Sequence, residues 1–317
     1  DKVKEIFLEL EFKALYAKLI KNYQTIISVD ENQPIKIEDS SSLINTFDTK
    51  KVKYHLITKE KDAKDLAAKL DKTDIFVFDT ETDNLNTFDV NLVGASFCIK
   101  ANEAFFIAVN PFSNESGLFE NKFSDRLSVE TFKKIFKPIF ENKGIKKVCQ
   151  NAKYDIAVLR SIGIEVSNFY FDTMLASYVL DPDQKHGMDD LSEKYLDYKP
   201  IPLSDLIGQK KDPAKIFEVD LQSLSNYSAE DADVTYKLYT KLDNELKKEG
   251  IEKVAYDIEF PLVPVLTDME YEGIKIDMAA LKSFSKELQV LIENYTSEIF
   301  KVAGTEFNIN SPKQLQE

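Results

Sequence analysis

From about residue 50, short apolar runs typical of strands alternate with stretches whose apolar residues recur three and four positions apart, as in amphipathic helices. The predicted strands are 51–58, 75–81, 91–100, 103–110 and 145–151. The predicted helices are 59–70, 129–141, 152–162, 172–197 and 221–249, the last ending at Gly250, whereas 198–216 has the composition of a loop. This alternation predicts an α/β fold in which helices cover both faces of a mixed sheet.

The two ends of the chain have a different pattern. Residues 1–27 are predicted to be helical, and the polar stretch 28–45 is typical of a linker. Residues 251–273 are predicted to form a helix with two prolines, and Asp277 is placed to cap a further helix. Ser311 and Pro312 then indicate a helix start, so the chain stops about one turn into a predicted helix and is expected to be a fragment.

The composition excludes several classes of site. No two of the nine glycines lie within ten positions of each other, so neither a Walker A loop nor a G-x-G-x-x-G fingerprint is present. The two histidines, His55 and His186, cannot form an H-E-x-x-H motif. The two cysteines, Cys98 and Cys149, do not form a C-x-x-C motif, which argues against a structural zinc site. The net charge of −14 argues against a nucleic-acid coat protein, but it leaves room for an enzyme that holds a few nucleotides through metal-bridged phosphates.

No apolar run approaches the ~18–20 residues of a membrane span, and the N-terminus is charged, unlike a signal peptide. The sequence therefore predicts a soluble, cytoplasmic protein without a membrane partner. Its plentiful carboxylates are the ligands that Mg²⁺ and Mn²⁺ prefer.

Acidic residues interrupt apolar patterns at three places. In IFVFDTE the strand runs into Asp79 and Glu81, which project from one face and would repel each other unless a cation lies between them. The alternative for this pair is a strand that ends in a solvated acidic turn. In VCQNAKYDIAVL, Asn151 precedes a helix that contains Asp155, and the alternative here is an acid that complements the helix dipole.

The third place is a helix in which Tyr227, Asp231, Val234 and Leu238 share one face. An acid within an apolar stripe is costly unless it is paired or binds a metal. The alternative is a capping box formed by Ser228 and Asp231.

Together, the segments FDTET, N-x-x-YD and Y-x-x-x-D resemble the three Exo motifs of the DEDDy 3′–5′ exonucleases. The longer segments FDTMLASYVLDPDQKHGMDDLSEKYL and YSAEDADVTYKLY resemble the proofreading domain of bacterial family A DNA polymerases, of the DNA polymerase I type. The resemblance covers roughly 50–250, and EGIKID and NINSPKQLQE resemble the start of a polymerase region.

The resemblance implies a ribonuclease H-like, DnaQ-like fold with helical extensions at both ends. It implies that Asp79, Glu81, Asp155 and Asp231 hold two Mg²⁺ or Mn²⁺ ions and that Tyr227 orients the attacking water. Leu85, Asn151 and His186 would contact the substrate, although Lys185 stands where relatives often have Arg.

The implied domains are 1–48, a helix and linker that follow a 5′-nuclease domain; 49–250, the exonuclease; and 251–317, the start of the polymerase region. The implied partners are the 3′ end of single-stranded DNA and, in a full-length protein, primer-template DNA bound by a monomer. Two alternatives stay open: an RNase D-like RNA-processing enzyme, and a catalytically silent domain that supports the polymerase.

Overall fold

A mixed sheet lies at the centre of the computed structural model, which describes residues 45–112, 123–210 and 212–316. The predicted helix at 1–27 and nearly all of the predicted linker lie outside the described residues. The strands are β1 (Asn45–Thr46), β2 (Lys53–Ile57), β3 (Ile75–Thr82), β4 (Leu92–Lys100), β5 (Glu103–Asn110), β6 (Leu127–Ser128), β7 (Lys146–Cys149), β8 (Phe169–Asp172) and β9 (Tyr198–Lys199).

Helices separate most of these strands along the chain. They are α1 (Glu60–Leu70), α2 (Val129–Phe140), α3 (Ala152–Ser161), α4 (Thr173–Leu180), α5 (Met188–Leu196), α6 (Leu203–Ile207), α7 (Leu221–Glu249), α8 (Glu252–Val254), α9 (Phe260–Glu272), α10 (Met278–Ala303) and α11 (Pro312–Gln316). A 3₁₀ helix at Pro213–Glu218 and a π-helical turn at Ala255–Glu259 complete the described elements.

The strands of the main sheet run in the order β2-β5-β4-β3-β7-β8, with β6 beside β5. Only β4 is antiparallel to its neighbours in this path, pairing with β3 on one side and β5 on the other. The parallel strands β3, β7 and β8 therefore end at the same edge of the sheet, followed by the loop that leads to Leu92, by α3 and by α4. This is the mixed, helix-flanked sheet that the sequence predicts.

Each face of the sheet has its own core. On one face, phenylalanine rings from two strands pack against α2, including Phe76 with Phe140 and Phe97 with Phe136. On the other face, the 29-residue helix α7 covers Val77 and Cys98 with a stripe of alanine and leucine. The small alanine side chains of α7 let the helix approach β3 closely, which brings its polar residues near that strand.

The structure corrects the sequence prediction between 169 and 218. Phe169–Asp172 forms strand β8, and the single helix predicted for 172–197 is two helices, α4 and α5. They are separated around Pro182, which cannot donate the backbone hydrogen bond that a continuous helix needs. The predicted loop at 198–216 contains a short strand, helix α6 and most of a 3₁₀ helix.

The helices after residue 250 follow the predicted pattern. Gly250 ends α7 in a left-handed conformation, and both prolines lie in α9. Asp277 Oδ1 accepts hydrogen bonds of 2.9 Å from the backbone N–H groups of Ala279 and Ala280, so it caps α10 as expected. In the part of the chain that the structure describes, no helix combines the length and apolar character of a bilayer span.

Gly94 allows β4 and β5 to pack closely under α7. A Cβ atom at this position would lie 2.3 Å from the Phe106 ring and 2.8 Å from the carbonyl oxygen of Ile107. Phe106 is fully buried, so its ring has little space into which it can move. We therefore expect Gly94→Ala to lower the free energy of unfolding by ~2 kcal/mol, measured by urea denaturation.

Gly187→Ala is the matched control for this substitution. Gly187 has φ −66°, and its added Cβ would meet Asp190 Oδ2 at an ordinary 3.5 Å. The free energy of unfolding should change by less than ~0.5 kcal/mol. Equal stability of the two variants would contradict the close packing described for Gly94.

Candidate active site

Asp79 and Glu81 lie near the end of β3, on the face of the sheet that α7 covers. Val77, Asp79 and Glu81 alternate with residues of the opposite face, and Val77 packs in the same core cluster as Ala232 and Leu238 of α7. Glu81 is buried, whereas Asp79 is partly exposed. Within the described part of the chain, Glu81 Oε1 is buried and has no hydrogen-bond partner. Such an atom is available to a ligand.

Helix α7 places Asp231 and Tyr227 near Asp79 and Glu81. The helix begins at Leu221, and Asp220 caps it by accepting a 2.9 Å hydrogen bond from the Ser223 N–H. Ser228 and Asp231 therefore lie well inside the helix, and the alternative that they form a capping box is wrong. Asp231 is only 8% exposed.

Three of the predicted ligands come together between β3 and α7. One carboxylate oxygen each from Asp79, Glu81 and Asp231 lie within 4.8 Å of one another. Burial, followed by the charges of Asp155 and Glu81, raises the pKa of Asp79 well above its ordinary value. Burial raises the pKa of Glu81 to about 7, and burial with the charge of Glu81 raises that of Asp231.

Asp155 lies beside this group but makes different contacts. It is in the first turn of α3, where a carboxylate also complements the helix dipole. Its Oδ1 accepts hydrogen bonds from the Thr80 N–H at 2.9 Å and the Thr80 hydroxyl at 2.6 Å, which fix it against β3. Burial raises its pKa to about 7. The structure thus gathers three of the four predicted ligands and holds the fourth next to them.

The Tyr227 side chain lies close to the three carboxylates. Burial and then the charge of Asp231 raise the pKa of its hydroxyl far above the ordinary value, so the group stays neutral. In return, a polar contact with Tyr227 lowers the pKa of Asp231. A neutral phenol can both donate and accept a hydrogen bond here.

Two of the residues predicted to contact the substrate, Leu85 and Asn151, lie in segments that follow the parallel strands β3 and β7 at the same edge of the sheet. Leu85 is 77% exposed on the loop after β3. The Tyr154 hydroxyl hydrogen-bonds with the Thr82 hydroxyl and donates a hydrogen bond to the carbonyl oxygen of Asn84, and both contacts restrain the start of this loop. Asn151 is exposed, immediately before α3.

His186 is partly buried in the segment between α4 and α5. Its Nδ1 lies 2.9 Å from the Ser177 hydroxyl, and its ring centroid lies 5.0 Å from that of Tyr178. Lys185 is exposed and lies 3.6 Å from Asp190.

The sequence analysis missed three further buried acids among the described residues: Asp172, Glu230 and Asp233. Asp172 ends β8 and accepts hydrogen bonds from four backbone N–H groups. Asp233 is fully buried on α7 and accepts hydrogen bonds from Tyr54, Asn102 and Lys237. Each follows an apolar residue or an alanine, as Asp79 does, so this pattern could have identified them.

The group of three carboxylates suits a hard divalent cation. All of its donors are oxygen atoms, two of the three residues are buried, and one oxygen of Glu81 lacks a partner. Burial is the largest cause of the raised pKa of each residue, and neighbouring acids raise the pKa of Asp79 and Asp231 further. Positive charge at this point would relieve the mutual repulsion of the carboxylates.

Comparisons with known proteins give a consistent result. Residues 54–247 match the profile of a 3′–5′ exonuclease family found in DNA polymerases of type A. DNA polymerase I of Borreliella burgdorferi is 34% identical over 308 residues, which cover 94% of this chain and 32% of that protein. The chain thus spans about a third or less of the length of the curated relatives it matches.

Solved structures support the fold. The POL domain of Pol1 from M. smegmatis, in complex with DNA primer-template and dNTP, has a TM-score of 0.64 at 19% identity, with 82% of this chain and 40% of that chain covered. NrnC of Brucella melitensis with bound Mg²⁺ has a TM-score of 0.52 at 19% identity, with 72% and 97% covered. These likenesses confirm the fold, a mixed sheet flanked by helices.

The buried carboxylates between β3 and α7 lie inside the matched region, and the match covers more than half of the chain. The chain therefore belongs to the 3′–5′ exonuclease family of type A DNA polymerases.

Proposed function

We propose that this chain removes nucleotides one at a time from the 3′ end of single-stranded or frayed DNA, using two divalent cations. The observation that carries the proposal is the buried group of Asp79, Glu81 and Asp231, with Asp155 beside it. Family membership supports the 3′–5′ direction. The names of the relatives, which are DNA polymerases, favour DNA over RNA.

The four acids would hold the cations. When bound, Mg²⁺ or Mn²⁺ supplies positive charge that stabilises the departing oxygen and makes a nucleophile of water. The Tyr227 hydroxyl, kept neutral beside Asp231, orients the attacking water by hydrogen bonding. Two hydrogen bonds from Thr80 hold the Asp155 carboxylate in place against β3.

Exposed groups at the same edge would receive the substrate. Leu85 offers an apolar surface for a terminal base, and such stacking tolerates any sequence. Asn151 offers amide hydrogen bonds, and His186 lies in the segment that precedes α5. A mispaired end frays more easily than a paired one, so this mode of binding suits proofreading.

The proposed domains are the exonuclease at 49–250 and the beginning of a polymerase region at 251–317. The described residues from 46 onward belong to one compact unit, in which α9 packs on α3 through Lys153–Glu270 and Arg160–Asp268 ion pairs. We further propose that the chain acts as a monomer and that primer-template DNA is the partner of the longer protein.

A 5′-labelled oligonucleotide assay tests the proposed activity directly. With Mg²⁺, single-stranded DNA should shorten from its 3′ end in a ladder, faster than a blunt duplex, and EDTA should stop the reaction. RNA of the same sequence should be trimmed more slowly. Degradation from the 5′ end or in EDTA would contradict the proposal, faster trimming of RNA would favour the RNA-processing alternative, and metal binding without trimming would favour a silent domain.

Asp231→Asn separates a metal ligand from an ordinary helix acid. Activity should fall by more than the ~10–100-fold typical of changes outside the ligand set. The metal-free melting temperature should stay level or rise, since the substitution removes one of three crowded charges. Tyr227→Phe should have a milder effect on activity, because it removes a hydroxyl but no ligand.

The control is Asp220→Ala, which removes a true capping acid from the same helix. It should lower stability by ~1 kcal/mol and leave trimming largely intact. If Asp231→Asn behaved like Asp220→Ala, the ligand assignment would be wrong.

The raised pKa of Glu81 predicts that metal-free protein loses stability as pH rises. The carboxyl pKa is about 7 in the folded state against an ordinary 4.5, so the folded state binds more protons between these values. The free energy of unfolding is then highest near pH 4.5 and falls as the pH rises through about 7. Melting temperatures in EDTA should therefore be lower near pH 8 than near pH 5.5.

Glu81→Gln should weaken this pH dependence, because the substituted side chain has no proton to lose. Added Mg²⁺ should raise the melting temperature of the original protein most at the higher pH, where the carboxylates are charged. The same pH slope in both proteins would sink the assignment of the raised pKa to Glu81.

A further inference from the structure

The N-terminus of α3 is capped by a residue of strand β8, which is distant in sequence. Asn151 occupies the N-cap position, where asparagine ordinarily accepts a hydrogen bond from a backbone N–H of the first turn. Here its side chain makes no such bond. Asp172 of β8 binds this end of the helix from outside: its Oδ1 accepts from the N–H of Asn151 itself at 3.1 Å, and its Oδ2 accepts from the N–H of Ala152, the first helical residue, at 2.8 Å.

The same carboxylate also caps α4. Asp172 Oδ1 accepts further hydrogen bonds from the N–H groups of Met174 at 2.8 Å and Leu175 at 3.3 Å. With four donors around it and only 2% exposure, the carboxylate has one well-defined position. The ends of β7 and β8 are thereby tied together at the edge of the sheet where the active-site acids lie.

The backbone at Asn151 shows the consequence. Its φ of 62° and ψ of 47° are left-handed, whereas an N-cap residue that uses its own side chain has extended angles. The hydrogen bond from its N–H to Asp172 holds this conformation, in which the Asn151 side chain makes no capping hydrogen bond. Asn151 is exposed, and its side-chain amide makes no capping hydrogen bond.

Asp155 has a separate anchor. Its hydrogen bonds to Thr80 tie it to β3 and do not involve Asp172. Loss of the Asp172 cap should therefore affect the Asn151 amide more than the position of the Asp155 carboxylate.

We infer that Asp172 is a positioning residue for substrate binding: by binding the N–H groups of Asn151 and Ala152, it holds Asn151 in the left-handed conformation that keeps its amide free to hydrogen-bond the 3′-terminal nucleotides. This inference rests on the proposed function. It assigns Asp172 an effect on substrate affinity that acts through Asn151, beyond its contribution to the stability of two helices.

A double-mutant cycle with Asp172→Asn and Asn151→Gly tests the inference. Glycine adopts φ +62° without strain, so Asn151→Gly removes the amide and little else. Asp172→Asn replaces one acceptor oxygen with a donor, so the Asn151 backbone can leave the left-handed conformation and its side chain can then cap the first turn of α3. Each single change should raise KM for a single-stranded oligonucleotide by about three- to tenfold, with kcat changed less than about twofold.

The double variant should show no further rise in KM over Asn151→Gly alone, because both changes remove the same contact. Fluorescence anisotropy with a labelled oligonucleotide in EDTA should give the same non-additive pattern for Kd. Asp277→Ala is the control, because it removes the cap of α10. It should lower the melting temperature without changing KM.

A purely structural Asp172 would give a different result: the two effects on KM would multiply, or kcat would fall with KM unchanged, and either outcome overturns the inference. If Asp172→Asn does not melt cooperatively, Asp172→Ser enters the same cycle, because its hydroxyl can still accept one hydrogen bond. An original chain that neither binds nor trims DNA overturns the proposed function and the inference with it. An original chain that trims DNA while the cycle is additive overturns the inference alone.

Discussion

Electrostatic repulsion between carboxylates forced together at low dielectric is the constraint on which the rest of this structure depends. Asp79 and Glu81 come from β3 and Asp231 comes from α7, and their oxygens meet within 4.8 Å. Burial raises the pKa of all three, so metal-free protein must either hold protons there or tolerate the repulsion. A divalent cation resolves this conflict, and the fold therefore has its most favourable electrostatics when the cation is bound.

Such a site needs a rigid frame, since its own charges push β3 and α7 apart. Asp233 supplies part of that frame. Its fully buried carboxylate accepts hydrogen bonds of 2.8 Å from the Tyr54 hydroxyl and 2.7 Å from the Asn102 N–H, which connect α7 to β2 and to the turn between β4 and β5. It also accepts a 2.8 Å hydrogen bond from Lys237 Nζ on the same helix. The neighbouring Glu230 is held by the Tyr198 hydroxyl and the Ile201 N–H. Hydrophobic packing of α7 on the sheet also opposes this separation of α7 from β3.

The sequence predicted the features that depend on local pattern. Alternating strands, the end of α7 at Gly250 and the cap of α10 at Asp277 follow from periodicity and from single residues, and all of them are present. The errors arose where tertiary contacts decide. Strand β8 has four residues and exists because it pairs with β7, so its last residue, Asp172, was assigned to a helix. The alternative reading of Ser228 and Asp231 as a capping box is excluded, because α7 begins at Leu221, within the range 221–249 predicted to be helical.

The same distinction applies to the candidate site. The residue types at 79, 81 and 231 indicated carboxylate chemistry, because acids stood where apolar residues were expected. Their convergence depends on the register of β3 and on the rotation of α7, which no local pattern specifies. The contacts of Asp155 with Thr80 and the capping of α3 by Asp172 likewise join segments distant in sequence. Long-range polar contacts of this kind become visible only in the folded chain.

Titration of the protein with Mn²⁺, followed by the loss of the free-ion electron paramagnetic resonance signal, tests the central claim most directly. Measured without nucleic acid, it reports occupancy of the carboxylate group independently of catalysis. The account predicts saturable binding to the original chain that is strongly weakened in Asp231→Asn and unchanged in Asp220→Ala. Equal binding by all three proteins, or no saturable binding by the original chain, would contradict it.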